Sequence, residues 1–141
     1  MRAKDFFERA RSAERDIQRL ESLRDHYTDL GGHITAKWGG SPGGGGNNTS
    51  KVETAAIGIF DAETGILEKL ARFRAIVAEA EKVISKVPQD RFRQILTMHY
   101  LGGKSLAEIS TILEYQDRNS IYRARSYALK EAQKVINMEG L

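Results

Sequence analysis

The sequence predicts an all-α protein: a long antiparallel helical hairpin of coiled-coil type over residues 1–87, with a glycine-rich link at 31–50, then a three-helix domain over 88–141. Three observations predict it. Apolar residues recur at three- and four-residue steps, the spacing of one helix face, and no stretch alternates apolar and polar as a half-buried strand does. A heptad seam persists through residues 52–87. Toward the C-terminal end, three short helical patterns are separated by two breaks, with their own start and stop signals.

Length and composition bound what the elements can build. With 141 residues, the chain holds one domain, or a small domain with a helical extension, and not two substantial cores. Charged residues make up 29% and aromatics 8%, which fits helices with much solvated surface better than an enzyme with a deep pocket. Cysteine is absent, so disulfides and cysteine-based zinc sites are excluded. No apolar run is long enough for a membrane span, and residues 1–30 are too charged for a secretory signal, so a cytoplasmic protein is expected.

The first helix is expected over residues 3–30. Phe6, Ala10, Ala13, Ile17, Leu20, Leu23, Tyr27 and Leu30 step by three and four, a narrow apolar seam on an otherwise charged helix. Residues 31–50 hold eight of the thirteen glycines together with Pro42 and are expected to break the helix and act as a flexible connector. The phosphate-loop order G-x-x-x-x-G-K-[S/T] is missing there, and no buried strand precedes it.

Between residues 52 and 87, Ile59, Ile66, Leu70, Phe73, Val77, Ala80, Ile84 and Val87 step 7, 4, 3, 4, 3, 4, 3, a heptad seam. Gly58 and Gly65 weaken its first part, so the helix is expected to begin near Asp61 and to end at Pro88. Two long helices with single apolar stripes do not stand alone in water. They pair as a hairpin, with a second copy, or with a partner protein; a hairpin with residual apolar surface is the preferred arrangement.

Residues 91–129 carry the densest signals. Phe92, Ile95, Leu96, His99 and Tyr100 share a face, and Gly102-Gly103 ends that helix. Ser105-Leu-Ala-Glu108 is a capping box that starts the next one, with Leu106, Ile109 and Leu113 facing inward and the small Ser110 where helices cross. After a turn through Glu114 and Tyr115, Asp117 caps a third helix whose inner positions are Ile121, Ala124, Ala128, Leu129 and Ala132.

With Ile121 pointing inward and 100° per residue, Asn119, Tyr122, Arg123, Ser126 and Lys130 fall outside, with Arg118 free at the helix start. Residues 1–30 hold seven basic and seven acidic side chains and cancel, whereas residues 116–134 hold five basic against two acidic. The positive excess therefore lies on the last helix, which favours a polyanion. Two helices joined by a tight turn, the second with a basic and amide-bearing outer face, describe a helix-turn-helix that lays its last helix in the major groove of double-stranded DNA. Arg118 and Arg123 suit the paired acceptors of guanine, and Asn119 the donor and acceptor edge of adenine. Ser120, Lys104 and Ser105, at the starts of the two helices, complete the expected DNA-binding set.

Ser105-Leu106-Ala107-Glu108-Ile109 and Ala128-Leu129-Lys130-Glu131 resemble region 4 of bacterial sigma factors over roughly the last third of the chain. Over the whole length, including Ser41-Pro-Gly-Gly-Gly-Gly46 and Met98-His-Tyr-Leu101, the chain resembles small phage proteins related to the ArpU-like late-gene regulators. The resemblance implies a phage-type transcription regulator in a bacterial host cell. Where the sigma pattern has glycine after the leucine of the turn, this chain has Glu114, so a left-handed backbone there would cost about 1 kcal/mol.

His26, His33 and His99 are scattered without metal-ligand spacing, Glu79 and Glu81 do not share a helix face, and neither a nucleophile elbow nor a triad is present. No enzymatic activity, metal or cofactor is expected. Three readings remain: a sequence-specific transcription regulator whose hairpin contacts RNA polymerase or a second copy, a small-terminase-like DNA-packaging recogniser, and an adaptor that binds polymerase or a sigma factor without touching DNA.

Overall fold

The computed structural model describes residues 1–38 and 47–141, with side chains from 32–38, 47–50 and 52 excepted. Among the described residues five helices follow in order: α1 (Ala3–Trp38), α2 (Asn47–Ser85), α3 (Asp90–Leu96) continued by a π-helical turn (Thr97–Leu101), α4 (Leu106–Ile112) and α5 (Arg118–Glu139). No strand occurs among the described residues, so the protein is all-α as its periodicity requires. No described helix is long and apolar enough to cross a membrane.

The glycine-rich link is shorter than expected. α1 continues through Gly31 and Gly32 to Trp38, and α2 begins at Asn47 rather than near Asp61; residues 39–46 lie outside the described part. An isolated glycine costs a helix about 1 kcal/mol, but extending an existing helix adds one hydrogen bond per residue fixed, so a long helix carries such residues. Gly58 and Gly65 ride inside α2 in the same way, and a Cβ added at either would meet nothing within 4 Å.

Two compact units divide the chain: residues Met1–Arg15 with Phe73–Leu141, and residues Asp16–Arg72. In the second, Ile17, Leu20, Ile66 and Leu70 are buried, as their seams predict. Leu23 and Leu30, read as the continuation of the α1 seam, are 40% and 37% exposed, and on α2 Ile57, Phe60 and Leu67 are 61%, 68% and 44% exposed.

The first unit has two cores. Ala3, Phe6, Phe7 and Ala10 of α1 pack with Ala80, Val83, Ile84 and Val87 from the end of α2, and with Leu96, Tyr100, Ala128, Ala132, Val135 and Ile136. Phe7 is fully buried, stacked on Tyr100 with ring centroids 5.3 Å apart and edge-on to Phe6 at 5.2 Å. The second core lies among α3, α4 and α5: Ile95, Leu106, Ile109, Ile121 and Ala124, with Met98, Leu113 and Tyr115 against them. Residues 88–141 thus do not close their own interior; residues 3–10 and 80–87 supply a wall of it.

Polar contacts fix the joints. Gln133 on α5 accepts from the Ala3 amide at 2.6 Å and donates to the Met1 carbonyl at 3.0 Å, holding the start of α1 on α5. At the corner after α2, where Pro88 cannot continue the helix, Arg93 donates to the Val87 and Pro88 carbonyls at 2.6 and 3.0 Å and to Asp90 at 3.1 Å. These bonds satisfy carbonyls that the end of a helix leaves unpaired.

Candidate nucleic-acid interface

The breaks on either side of α4 set how α3, α4 and α5 follow one another. The π-helical turn ends where the Gly102 amide bonds back five residues to the Thr97 carbonyl at 2.8 Å and the Lys104 amide bonds to the Met98 carbonyl at 3.0 Å. Glycine suits both positions there for different reasons. A Cβ on Gly102 would lie 2.9 Å from the Met98 carbonyl oxygen, and Gly103 has φ 68°. Ser105 then caps α4 by accepting from the Glu108 amide at 3.2 Å, the hydroxyl half of the capping box.

The turn from α4 to α5 runs through Glu114 in the left-handed region at φ 61°, the conformation that the missing glycine would have favoured. The Tyr115 amide returns to the Ser110 carbonyl at 2.9 Å. Asp117 caps α5 by accepting from the Ser120 amide at 3.0 Å. Ile121 is fully buried, which fixes the rotation of α5 and therefore what points away.

Asn119, Arg123, Ser126 and Lys130 fall within about 60° of one another on the side opposite Ile121, over a length of about 17 Å. All four are exposed, as are Arg118 and Tyr122. Among the described residues, Arg118, Asn119, Arg123 and Ser126 engage their side chains in no hydrogen bond or ion pair, so the fold does not consume them. Lys130 lies over the Tyr127 ring at 5.5 Å, and Lys134 is tied to Glu131 at 3.0 Å.

The remaining expected residues have mixed positions. Lys104 and Ser105 are exposed at the start of α4, but the Ser105 oxygen is occupied as a cap and the Lys104 carbonyl by His99. Ser120 is half-buried in the capped first turn of α5. Two residues absent from the expected set border the face. Tyr127 is 54% exposed, and the half-buried Arg125 lies 5.7 Å from the Tyr122 ring. Arg91 covers Tyr115 at 5.0 Å on the other side of the turn.

Behind α5, His99 is buried, with Nδ1 2.8 Å from the Lys104 carbonyl. Burial holds its imidazole below the usual pKa, opposed by that hydrogen bond and assisted by the positive charges of Arg11 and Arg125. Burial likewise pushes the Tyr100 phenol up. An open groove of about 170 Å³ at the turn is lined by Ala107, Ser110, Tyr115, Asp117 and Arg118, smaller than the several hundred Å³ of a typical small-molecule pocket. Comparison with protein-family models, curated proteins and solved structures yields no match for this chain.

Proposed function

We propose that the chain is a sequence-specific DNA-binding transcription regulator of phage type, acting in the cytoplasm of a bacterial host through a helix-turn-helix similar to sigma region 4. The row of exposed Asn119, Arg123, Ser126 and Lys130 opposite the buried Ile121 carries this reading. Free guanidinium and amide groups on one helix face, with a shorter capped helix packed behind it, match the chemistry of base edges in the major groove. Arg118 and Arg123 are assigned to guanine and Asn119 to adenine, while Tyr122, Ser126, Lys130 and the helix starts at Lys104, Ser105 and Ser120 serve base edges and phosphates.

The exposed Ile57, Phe60 and Leu67 of α2 favour a protein partner for the second unit, a second copy or RNA polymerase. Mass in solution separates regulation from packaging: a monomer or dimer supports the former, and a closed ring of copies supports the small-terminase-like alternative. The adaptor reading requires no duplex binding at all. Selection of bound fragments from a random duplex pool, with Arg123→Ala beside the native chain, tests the proposal. Enrichment of one motif by the native protein, relaxed at a guanine by Arg123→Ala, is the expected result; no enrichment, or the same motif with the same affinity for both, refutes it.

A further inference from the structure

Besides its buried seam, α2 carries a second apolar stripe. Ile57, Phe60, Thr64, Leu67 and Ala71 step 3, 4, 3, 4, and all five are exposed. At 100° per residue the stripe lies about 130° around the helix from Ile59, Ile66, Leu70 and Phe73, so a neighbour packed on that seam leaves it uncovered. The Thr64 hydroxyl donates to the Phe60 carbonyl at 2.9 Å and asks nothing of an apolar partner. Single apolar residues on a surface need no explanation, whereas a row at heptad spacing along about 20 Å of one helix does.

The charges beside this stripe have one sign. Residues 52–68 hold Glu53, Asp61, Glu63 and Glu68 and not one Lys, Arg or His. Glu53 continues the line of the stripe, Asp61 and Glu68 border one edge and Glu63 the other, each within about 80° of its middle. Glu53, Asp61 and Glu68 are exposed and Glu63 is half-buried; none of the four forms an ion pair among the described residues. Lys51, Lys69 and Arg72 lie more than about 90° away around the helix, and Arg74 stands one turn past the end of the stripe. Nor does α1 supply positive charge: residues 16–38 hold four acidic and three basic side chains. In a chain of net charge +3, the unit Asp16–Arg72 has eight acidic residues against six basic.

We infer that the stripe is the docking site of an amphipathic helix from another protein, one with apolar residues at heptad spacing and Lys or Arg on both flanks. The inference rests on the reading of α2 as a partner-binding surface, narrows it, and is independent of α5. Anchors spaced like Ile57, Phe60 and Leu67 fit a helix laid along them, and the flanking charges choose which helix. A second copy fits poorly. Paired in parallel, Asp61 and Glu68 of one chain would face Glu63 of the other; paired antiparallel, like edges would meet. Either way carboxylates face carboxylates and repel, whereas a basic helix turns the same edges into attraction.

The test uses the full chain and three labelled synthetic helical peptides, with binding read by fluorescence anisotropy. The first has a leucine stripe at heptad spacing flanked by Lys, the second has the same stripe flanked by Glu, and the third has the composition of the first with its stripe scrambled. The native chain should bind the first at least about tenfold more tightly than either of the others, because several flanking pairs change sign. Asp61→Lys combined with Glu68→Lys should shift the preference toward the Glu-flanked peptide. Phe60→Ser, at a residue 68% exposed, should weaken binding of the Lys-flanked peptide at least about tenfold while the melting temperature and duplex affinity stay at their native values.

Equal affinity for the Lys- and Glu-flanked peptides overturns the inference, as does equal affinity for the scrambled one or no binding of any. Sedimentation of the native chain alone as a dimer that Phe60→Ser dissociates overturns it in favour of a second copy. None of these results touches the reading of α5, which stands or falls on duplex binding by Arg123→Ala; if that variant binds as the native chain does, α5 fails while the peptides still decide the stripe.

Discussion

Phe7→Ala tests how the C-terminal helices are supported. Phe7 is fully buried between Phe6, Tyr100 and the inner residues of α2 and α5. Returning a buried aromatic ring to water forfeits about 2–3 kcal/mol, the stacked and edge-on ring pairs add about 1 kcal/mol, and incomplete collapse of the cavity brings the total to about 4 kcal/mol. Domains of this size are stable by only about 5–15 kcal/mol, so the loss is a large share of the total. In urea, with a slope near 2 kcal/mol per molar, the midpoint should fall by about 2 M with the slope unchanged. Leu23→Ala, at a residue 40% exposed, should move the midpoint by less than about 0.5 M. A shift for Phe7→Ala as small as that of Leu23→Ala would refute the conclusion that residues 3–10 wall the C-terminal core.

Three further perturbations bear on the turn, the cap and the buried imidazole. Glu114→Gly relieves a left-handed residue at φ 61°, worth about 1–2 kcal/mol, against about 0.4–1 kcal/mol for the added freedom of the unfolded chain, so urea denaturation should show a gain of about 0.5–1 kcal/mol that Glu114→Ala does not share. Asp117→Ala removes the acceptor of the Ser120 amide and should cost about 1 kcal/mol, read as a lower melting temperature, whereas Asp117→Asn should retain most of it. His99 has its folded pKa below the ordinary 6.5, so the unfolded chain binds more protons between those two values. The stability it contributes is complete above about 6.5 and is lost as the pH falls toward the folded value. His99→Gln should therefore flatten the dependence of the urea midpoint on pH below neutrality; an unchanged slope would remove His99 as its source.

Much of the C-terminal part was legible because its signals are local. Ser105 and Asp117 accept from amides three residues on, as cap residues do; Ile109 and Ile121 fall inside together; and the residue after Leu113 takes positive φ without being glycine. Those features depend on a few adjacent residues, and turn chemistry decides them. Phe7 and Val83 escaped the reading because a single seam per helix leaves them out. α1 buries a stripe of Ala3, Phe6, Phe7 and Ala10, wider than a hairpin partner alone would cover, since the last helices pack on it as well.

Other features required tertiary information that spacing does not hold. Glycine content predicts a break over residues 31–50, but α1 propagates through Gly31 and Gly32 to Trp38. Leu23 and Leu30 obey the seam spacing and are nonetheless exposed, because periodicity marks a face without stating what covers it. Among the residues expected to face DNA, Arg118, Asn119, Tyr122, Arg123, Ser126 and Lys130 are exposed as their phase relative to Ile121 requires, whereas Ser120 is half-covered by its own turn.

Whether α5 lays its outward row against a duplex is measured most directly by mapping amide shifts of the full chain during titration with the selected duplex at low salt. Large shifts at Arg118, Asn119, Tyr122, Arg123, Ser126 and Lys130, with Ile57, Phe60 and Leu67 unmoved, are the predicted result. Shifts confined to residues 16–72, or an α5 that does not respond to any duplex, would contradict it.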